Sequence, residues 1–182
     1  EDTEVSEGEQ EFNELTQEER EGVLEGDAEA RREALGTSNE DIEGMVGART
    51  SVNATGEVSI NDRGGELDTY QREQLNAYTG AGGQENAGAE GRGLLDEYYT
   101  PSDVTTMASV VLGQQSAYKD GMTILEPSAG IGAFLDDIGV TASVDAFEIN
   151  DTAARILKLN NPDANVKVLP FESLFITDRG QK

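Results

Sequence analysis

The clearest hydrophobic pattern lies in the second half of the chain. Val104, Met107, Ala108, Val111 and Leu112 recur at the spacing of one helix face, so the pattern predicts a core-facing helix that Ser102 or Asp103 can cap. A short apolar run, Met122 to Leu125, follows; Gly121 and Pro127 bound it, and it reads as a buried strand ending at Glu126. Gly130 and Gly132 then let the backbone turn tightly into an apolar helix start at Ala133 to Leu135. Ser143 to Ile149 is a second strand, mixed apolar and carrying an acid near its end. Asn150 or Asp151 can cap a helix that carries Ala153, Ile156 and Leu157 to Asn160, with Pro162 as the stop, and Val166 to Leu169 forms a third strand. The order β-α-β-α-β with right-handed crossovers predicts an α/β fold whose parallel sheet binds ligands at the carboxyl ends of its strands.

The first half lacks such regularity. Large apolar residues are sparse before residue 93, and burying them offsets little of the roughly 1–2 kcal/mol of backbone entropy lost per ordered residue. Two helices are expected there. One starts at Thr16, where Thr16 and Glu19 form a capping-box pattern, and runs through Val23, Leu24 and Ala28 toward Leu35; the other spans Leu67 to Tyr78. Glycines at 80, 82, 83, 88, 91 and 93 give the composition of a flexible linker. The organisation expected is therefore an acidic, mostly disordered or weakly helical arm at 1–79, a linker at 80–93 and an α/β region at 94–182.

Charge and composition then narrow the function. The chain carries 37 acidic and 13 basic residues, a net charge of −24. Residues 1–92 hold 24 of the acids against 7 arginines, so most of the excess lies in front. Such a surface repels phosphate backbones, and DNA contact is expected to come from elsewhere, with a basic protein as the partner for the acidic arm. Cysteine and histidine are absent, which excludes disulfides and the usual zinc sites and removes the commonest general base. No metal is expected. No stretch of eighteen apolar residues occurs and the N-terminus is acidic, so no membrane contact and a cytoplasmic location are expected. The first residue is Glu1, consistent with an excerpt of a longer reading frame. The sequons at Asn53 and Asn150 are read as chance matches.

The candidate chemistry centres on Glu126-Pro127-Ser128-Ala129-Gly130-Ile131-Gly132. An acid at a strand end beside a glycine turn suits a ligand with an ammonium group or hydroxyls, and backbone N–H groups at a helix start suit a carboxylate. S-adenosylmethionine carries all of these. A glycine pair after a strand is equally often only a turn. Leu135 stands where the third glycine of a dinucleotide fingerprint belongs, and neither a Walker loop nor a nucleophile elbow is present. Glu148 lies where a ribose-binding carboxylate belongs in a Rossmann-type unit; the plainer reading is an exposed strand-end acid.

The run Leu125 to Leu135, with Phe134 near its end, resembles motif I of the N6-adenine DNA methyltransferases, the segment that binds S-adenosylmethionine. Tyr99-Thr100-Pro101 looks like motif X of the same enzymes, where the threonine and its backbone help hold the methionine end. Glu148, followed by Ile149, matches the acid of motif II. Past the third strand, where that family has an adenine-contacting residue, Phe171 could stack and Glu172 could accept from the adenine amino group; a buried Phe171 is the equal alternative. The resemblance covers residues 94–175 and implies a Rossmann-like S-adenosylmethionine-dependent fold, in part, within a site-specific DNA methyltransferase of restriction-modification, phage or plasmid type.

Motif IV, an Asn or Asp followed by two prolines and an aromatic, is missing. Asn160-Asn161-Pro162-Asp163 has one proline, no aromatic, and precedes the third strand. No catalytic residue can be assigned, and the expectation is the front part of a longer enzyme, holding the cofactor half of the site and inactive by itself. The competing expectations are a protein or RNA methyltransferase fragment, or an acidic DNA-mimicking interaction module with a vestigial cofactor fold.

Overall fold

The computed structural model describes residue 16 and residues 28–61, 66–79, 100, 102–114, 119–135 and 142–175. The chain divides into two units, one built from residues 1–45 and 65–98, the other from 46–64 and 99–182.

In the first unit, helix α1 spans Ala28–Ala34, α2 spans Asn39–Arg49 and continues into the second unit, and α3 spans Thr69–Asn76. Their ends are set by local chemistry. Gly36 takes a left-handed φ of 57°, while the Gly36 and Thr37 amides donate to Glu33 and Arg32 carbonyls and so close α1. Ser38 and Asp41 satisfy one another's backbone amides at the start of α2, and Asp68 and Gln71 do the same for α3. Leu35, Ile42 and Leu75 are fully buried, and the Tyr70 hydroxyl donates to the Leu35 carbonyl at 2.6 Å. Where composition pointed to an arm of marginal helices, a few well-placed apolar residues and satisfied helix ends build a packed core. The expected helix from Thr16 is seen from Ala28 onward; its earlier part and the 80–93 linker lie outside the described residues.

The second unit contains a parallel sheet of β3 (Thr123–Glu126), β4 (Ser143–Glu148) and β5 (Asn165–Val168), in that spatial order. Helix α4 (Ser102–Gln114) precedes the sheet, and α5 (Asp151–Asn160) connects β4 to β5. The mixed α/β architecture with a small parallel sheet is thus present. The register places Val144, Ala146, Val166 and Val168 on one face, against Ala154 and Leu157 of α5. Ser143, Asp145, Asn165 and Lys167 occupy the opposite face, where Asn165 donates to Asp145 at 3.0 Å; Phe147, on that same face, is the buried apolar residue there and packs against Phe171.

An antiparallel hairpin, β1 (Thr50–Val52) and β2 (Val58–Ile60), belongs to this unit and adds Val58 to the same core. Its turn meets β5 closely: the Val168 amide donates to the Gly56 carbonyl at 2.7 Å. Gly56 has a φ of 81°, and a Cβ there would lie 2.8 Å from the Val168 carbonyl oxygen, so both conformation and proximity require glycine.

Two sequence expectations are corrected. Helix α4 forms, but Val104, Met107, Val111 and Leu112 are exposed, Met107 by 72%, while Thr105 and Ser109 are buried. Periodicity sets the stripe; burial needs an opposing layer, and no described element covers this one. The helix start expected at Ala133 is not seen among the described residues, where 130–135 run as turns and a bend with Gly132 at a φ of 99°; residues 136–141 lie outside them.

Candidate functional site

The glycine bend crosses the carboxyl end of β4 and is held there by backbone amides. Ala129 N–H donates to the Phe147 carbonyl at 3.0 Å, Gly132 N–H to Ala129 at 3.0 Å, and Leu135 N–H to Gly132 at 2.7 Å. Glu148 joins this bend to the next helix. Its Oε2 accepts from the Gly130 amide at 2.8 Å and its Oε1 from the Asn150 amide at 2.7 Å, while Asn150 Oδ1 accepts from Ala153 N–H and caps α5. Each carboxylate oxygen therefore makes one charge-assisted bond and retains a further lone-pair direction. The half-buried Glu148 faces the bend and is tied to it.

The structure joins Gly130 to Glu148 at this end of the sheet, and Glu126 ends the neighbouring strand β3. Glu126 Oε1 lies 3.5 Å from the Ser128 amide, a long contact on an exposed turn with Pro127. Ala129 is buried in the core, Phe134 and Ile149 are exposed, and Ile149 lies just past β4. Gly132 has a packing role: a Cβ would come within 3.0 Å of Asn161 Nδ2 and 3.3 Å of Leu157 Cγ. This glycine admits α5 against the bend.

Phe171 and Glu172 sit in a 3₁₀ turn, Phe171–Phe175. Phe171 packs edge-on against Phe147 at 5.7 Å and Phe175 at 5.3 Å, and Phe147 leaves β4 on the face opposite Glu148. Glu172 is exposed. These two therefore do not join Glu148 through any described contact. Thr100 is half-buried; Tyr99 and Pro101 lie outside the described residues.

Several residues around the site carried no signal in the sequence. Arg155 Nη1 donates to the Thr50 carbonyl at 3.1 Å and its hydroxyl at 3.0 Å, and its Nε pairs with Asp151 at 2.5 Å. Lys158 Nζ donates to the Pro162 and Ala164 carbonyls at 2.7 Å each, closing the other end of α5. Burial lowers the Lys158 pKa below 10.5, with Asp163 and Glu57 acting in the opposite direction. At the amino ends of β4 and β5, away from Glu148, a cavity of about 250 Å³ is lined by Leu135, Val144, Asn161 and Asp163, among others. Among the described residues no group of three or more acidic side chains could hold a metal ion, and no helix is long and apolar enough to cross a membrane.

The chain is 34% identical over 114 residues to Defense against restriction protein B of Escherichia phage P1. The aligned residues are 63% of this chain and 5% of that protein, so the chain spans a small part of the length of the relative it matches. No protein-family profile matches it, and no solved structure does.

These findings correct the family expectation. The relative is named for defence against restriction, which overturns the assignment to the N6-adenine DNA methyltransferases and with it methyl transfer as the activity. The protein and RNA methyltransferase and DNA-mimic alternatives likewise find no support. The structure gives a physical reason why a short motif misleads. Gly132 fits α5, and Glu148 holds the backbone, so these residues have structural work independent of any transferred group.

Proposed function

We propose that this chain acts in defending DNA against restriction, and that its glycine bend binds S-adenosylmethionine as a ligand. The single observation that carries the first part is the 34% identity over 114 residues to the phage protein of that name. We place the action in the bacterial cytoplasm, where incoming DNA meets restriction enzymes. With a net charge of −24, direct attachment of this chain to a phosphate backbone is unfavourable.

The ligand reading rests on the second unit, taken as a partial Rossmann-like sheet. In such sheets ligands sit beyond the carboxyl ends of the strands, where Gly130 meets Glu148 and β3 ends at Glu126. The free lone pairs of Glu148 suit two vicinal hydroxyls, and Glu126 suits an ammonium. Thr100, half-buried, remains a candidate for the methionine end, with Tyr99 and Pro101 beside it in sequence.

Two measurements test the two parts separately. An unmodified phage is plated on cells with a restriction system, with and without the chain expressed; plating rises toward the level on non-restricting cells if the chain protects DNA, and an unchanged ratio rejects that role. Calorimetric titration of the full chain with S-adenosylmethionine tests the ligand. Binding that weakens by more than about tenfold in Glu148→Ala supports the bend as its site. Absence of heat with the native chain rejects it.

A further inference from the structure

The contacts of Glu148 do not stop at the bend. From its Oε1 they pass to the Asn150 amide, and Asn150 caps α5 through Ala153. Asp151, in the first turn of that helix, pairs with Arg155 one turn later. Arg155 reaches across to Thr50 of β1, whose own hydroxyl donates to the Val46 carbonyl at 2.6 Å. Thr50 is 3% exposed and the Arg155 side chain 17%, so water competes little at this contact, whereas Asp151, 53% exposed, meets Arg155 at the surface. The hairpin that Thr50 begins also closes onto β5, where Val168 donates to Gly56. A polar path therefore runs from the bend, along the first turn and a half of α5, to the hairpin.

We propose that Arg155 is a positioning residue for the glycine bend, and that Glu148, the start of α5 and Arg155 together couple the shape of the bend to the seating of the hairpin on β5. The charged bonds at both ends make the coupling physically reasonable. A carboxylate accepting two amides fixes where α5 begins, and a guanidinium shared by Asp151 and Thr50 fixes the same turn from the other side. Moving that turn disturbs both ends at once, because helix starts are rigid over one turn and the capping bonds are directional. If the bend binds a ligand as proposed above, occupancy at Glu148 is transmitted to the hairpin by this route; that consequence rests on the ligand reading, whereas the coupling does not.

Amide hydrogen exchange on the full chain tests the coupling without any ligand. Gly130 reports the bend and Val168 reports the seating of the hairpin. Glu148→Gln leaves an acceptor for only one of the two amides, because its NH₂ group faces the other. Coupling predicts that Glu148→Gln accelerates exchange at Val168 as well as at Gly130, and that Arg155→Met accelerates Gly130 as well as Val168, each by about tenfold. Thr50→Val enters from the hairpin end and must act in the same direction on Gly130. Lys158→Met, at the far end of α5, leaves Gly130 unchanged. Ile156 and Leu157 amides serve as the folding control in every variant. The proposal is overturned if Glu148→Gln affects Gly130 alone and Arg155→Met and Thr50→Val affect Val168 alone, since the two ends are then separate staples. It is equally overturned if Lys158→Met moves Gly130 as far as Arg155→Met, which would reflect general loosening of α5. Failure of the calorimetric titration with intact coupling rejects the ligand and leaves the relay standing.

Discussion

Helices α4 and α5 were both written with an apolar stripe, and they use it in opposite ways. Ala153, Ala154, Ile156, Leu157 and Leu159 of α5 are buried, and Ala154 and Leu157 share one core with Ala146 and Val166 of the sheet and Val58 of the hairpin. Val104, Met107, Val110, Val111 and Leu112 of α4 face solvent, while Thr105 and Ser109 are buried. A repeat near 3.6 residues predicts that a helix forms. It does not say whether a layer stands ready to receive the apolar side, and among the described residues α5 has one while none covers the stripe of α4.

The widest separation between the helices should appear on side-chain truncation. Leu157→Ala removes a fully buried side chain that touches the bend and is expected to cost about 2–5 kcal/mol, whereas Met107→Ala should change stability by less than about 0.5 kcal/mol. Urea unfolding followed at the second unit measures both, and equal losses would erase the distinction. Disturbing the layer that covers α5 is the next test. Gly56→Ala forces an L residue to a φ of 81° against the Val168 carbonyl, and a loss of about 1–3 kcal/mol is predicted by the same assay. A smaller effect comes from the helix start: Asn150→Ala deletes the cap of α5 and should cost about 1 kcal/mol.

The smallest effect sharpens the comparison from the first unit, where α3 buries a charge alongside its apolar residues. Burial raises the Glu73 pKa above 4.5, with Arg31 opposing. The folded unit then binds its proton more tightly than the unfolded chain. The resulting stabilisation is complete below pH 4.5 and is lost as pH rises through the folded pKa. Glu73→Gln should therefore flatten this part of the pH–stability curve and slightly stabilise the unit at neutral pH. A curve of unchanged slope would show that burial does not govern this carboxyl.

The strands and α5 could be read from the chain because their signals are local. Pro127, Pro162 and the cap at Asn150 punctuate the sequence at or next to the observed boundaries, and β3, β4 and β5 fall within one residue of the expected strands. The hairpin could not be read. Thr50–Val52 and Val58–Ile60 are too short to show a period, and what seats them is Gly56 meeting Val168 from more than a hundred residues away. The first unit was hidden for a related reason: Leu35, Tyr70 and Ala77 are few and scattered, and only their convergence makes a core.

The candidate site was legible in part. Glu148 and Gly130 were singled out by position and do meet. Their hydrogen bonding to the bend and to α5, and the part Gly132 plays in packing, depend on geometry that spacing does not encode. For that reason a likeness in three short motifs across residues 94–175 suggested an enzyme, while the relative matched over 114 residues is named for defence against restriction.

The most direct test of that function is the plating ratio of an unmodified phage on paired restricting and non-restricting cells expressing the full chain. Protection predicts that the ratio rises toward one relative to cells without the chain, with no change on the non-restricting host. A ratio that stays at the unprotected level, with the chain expressed and folded, contradicts it.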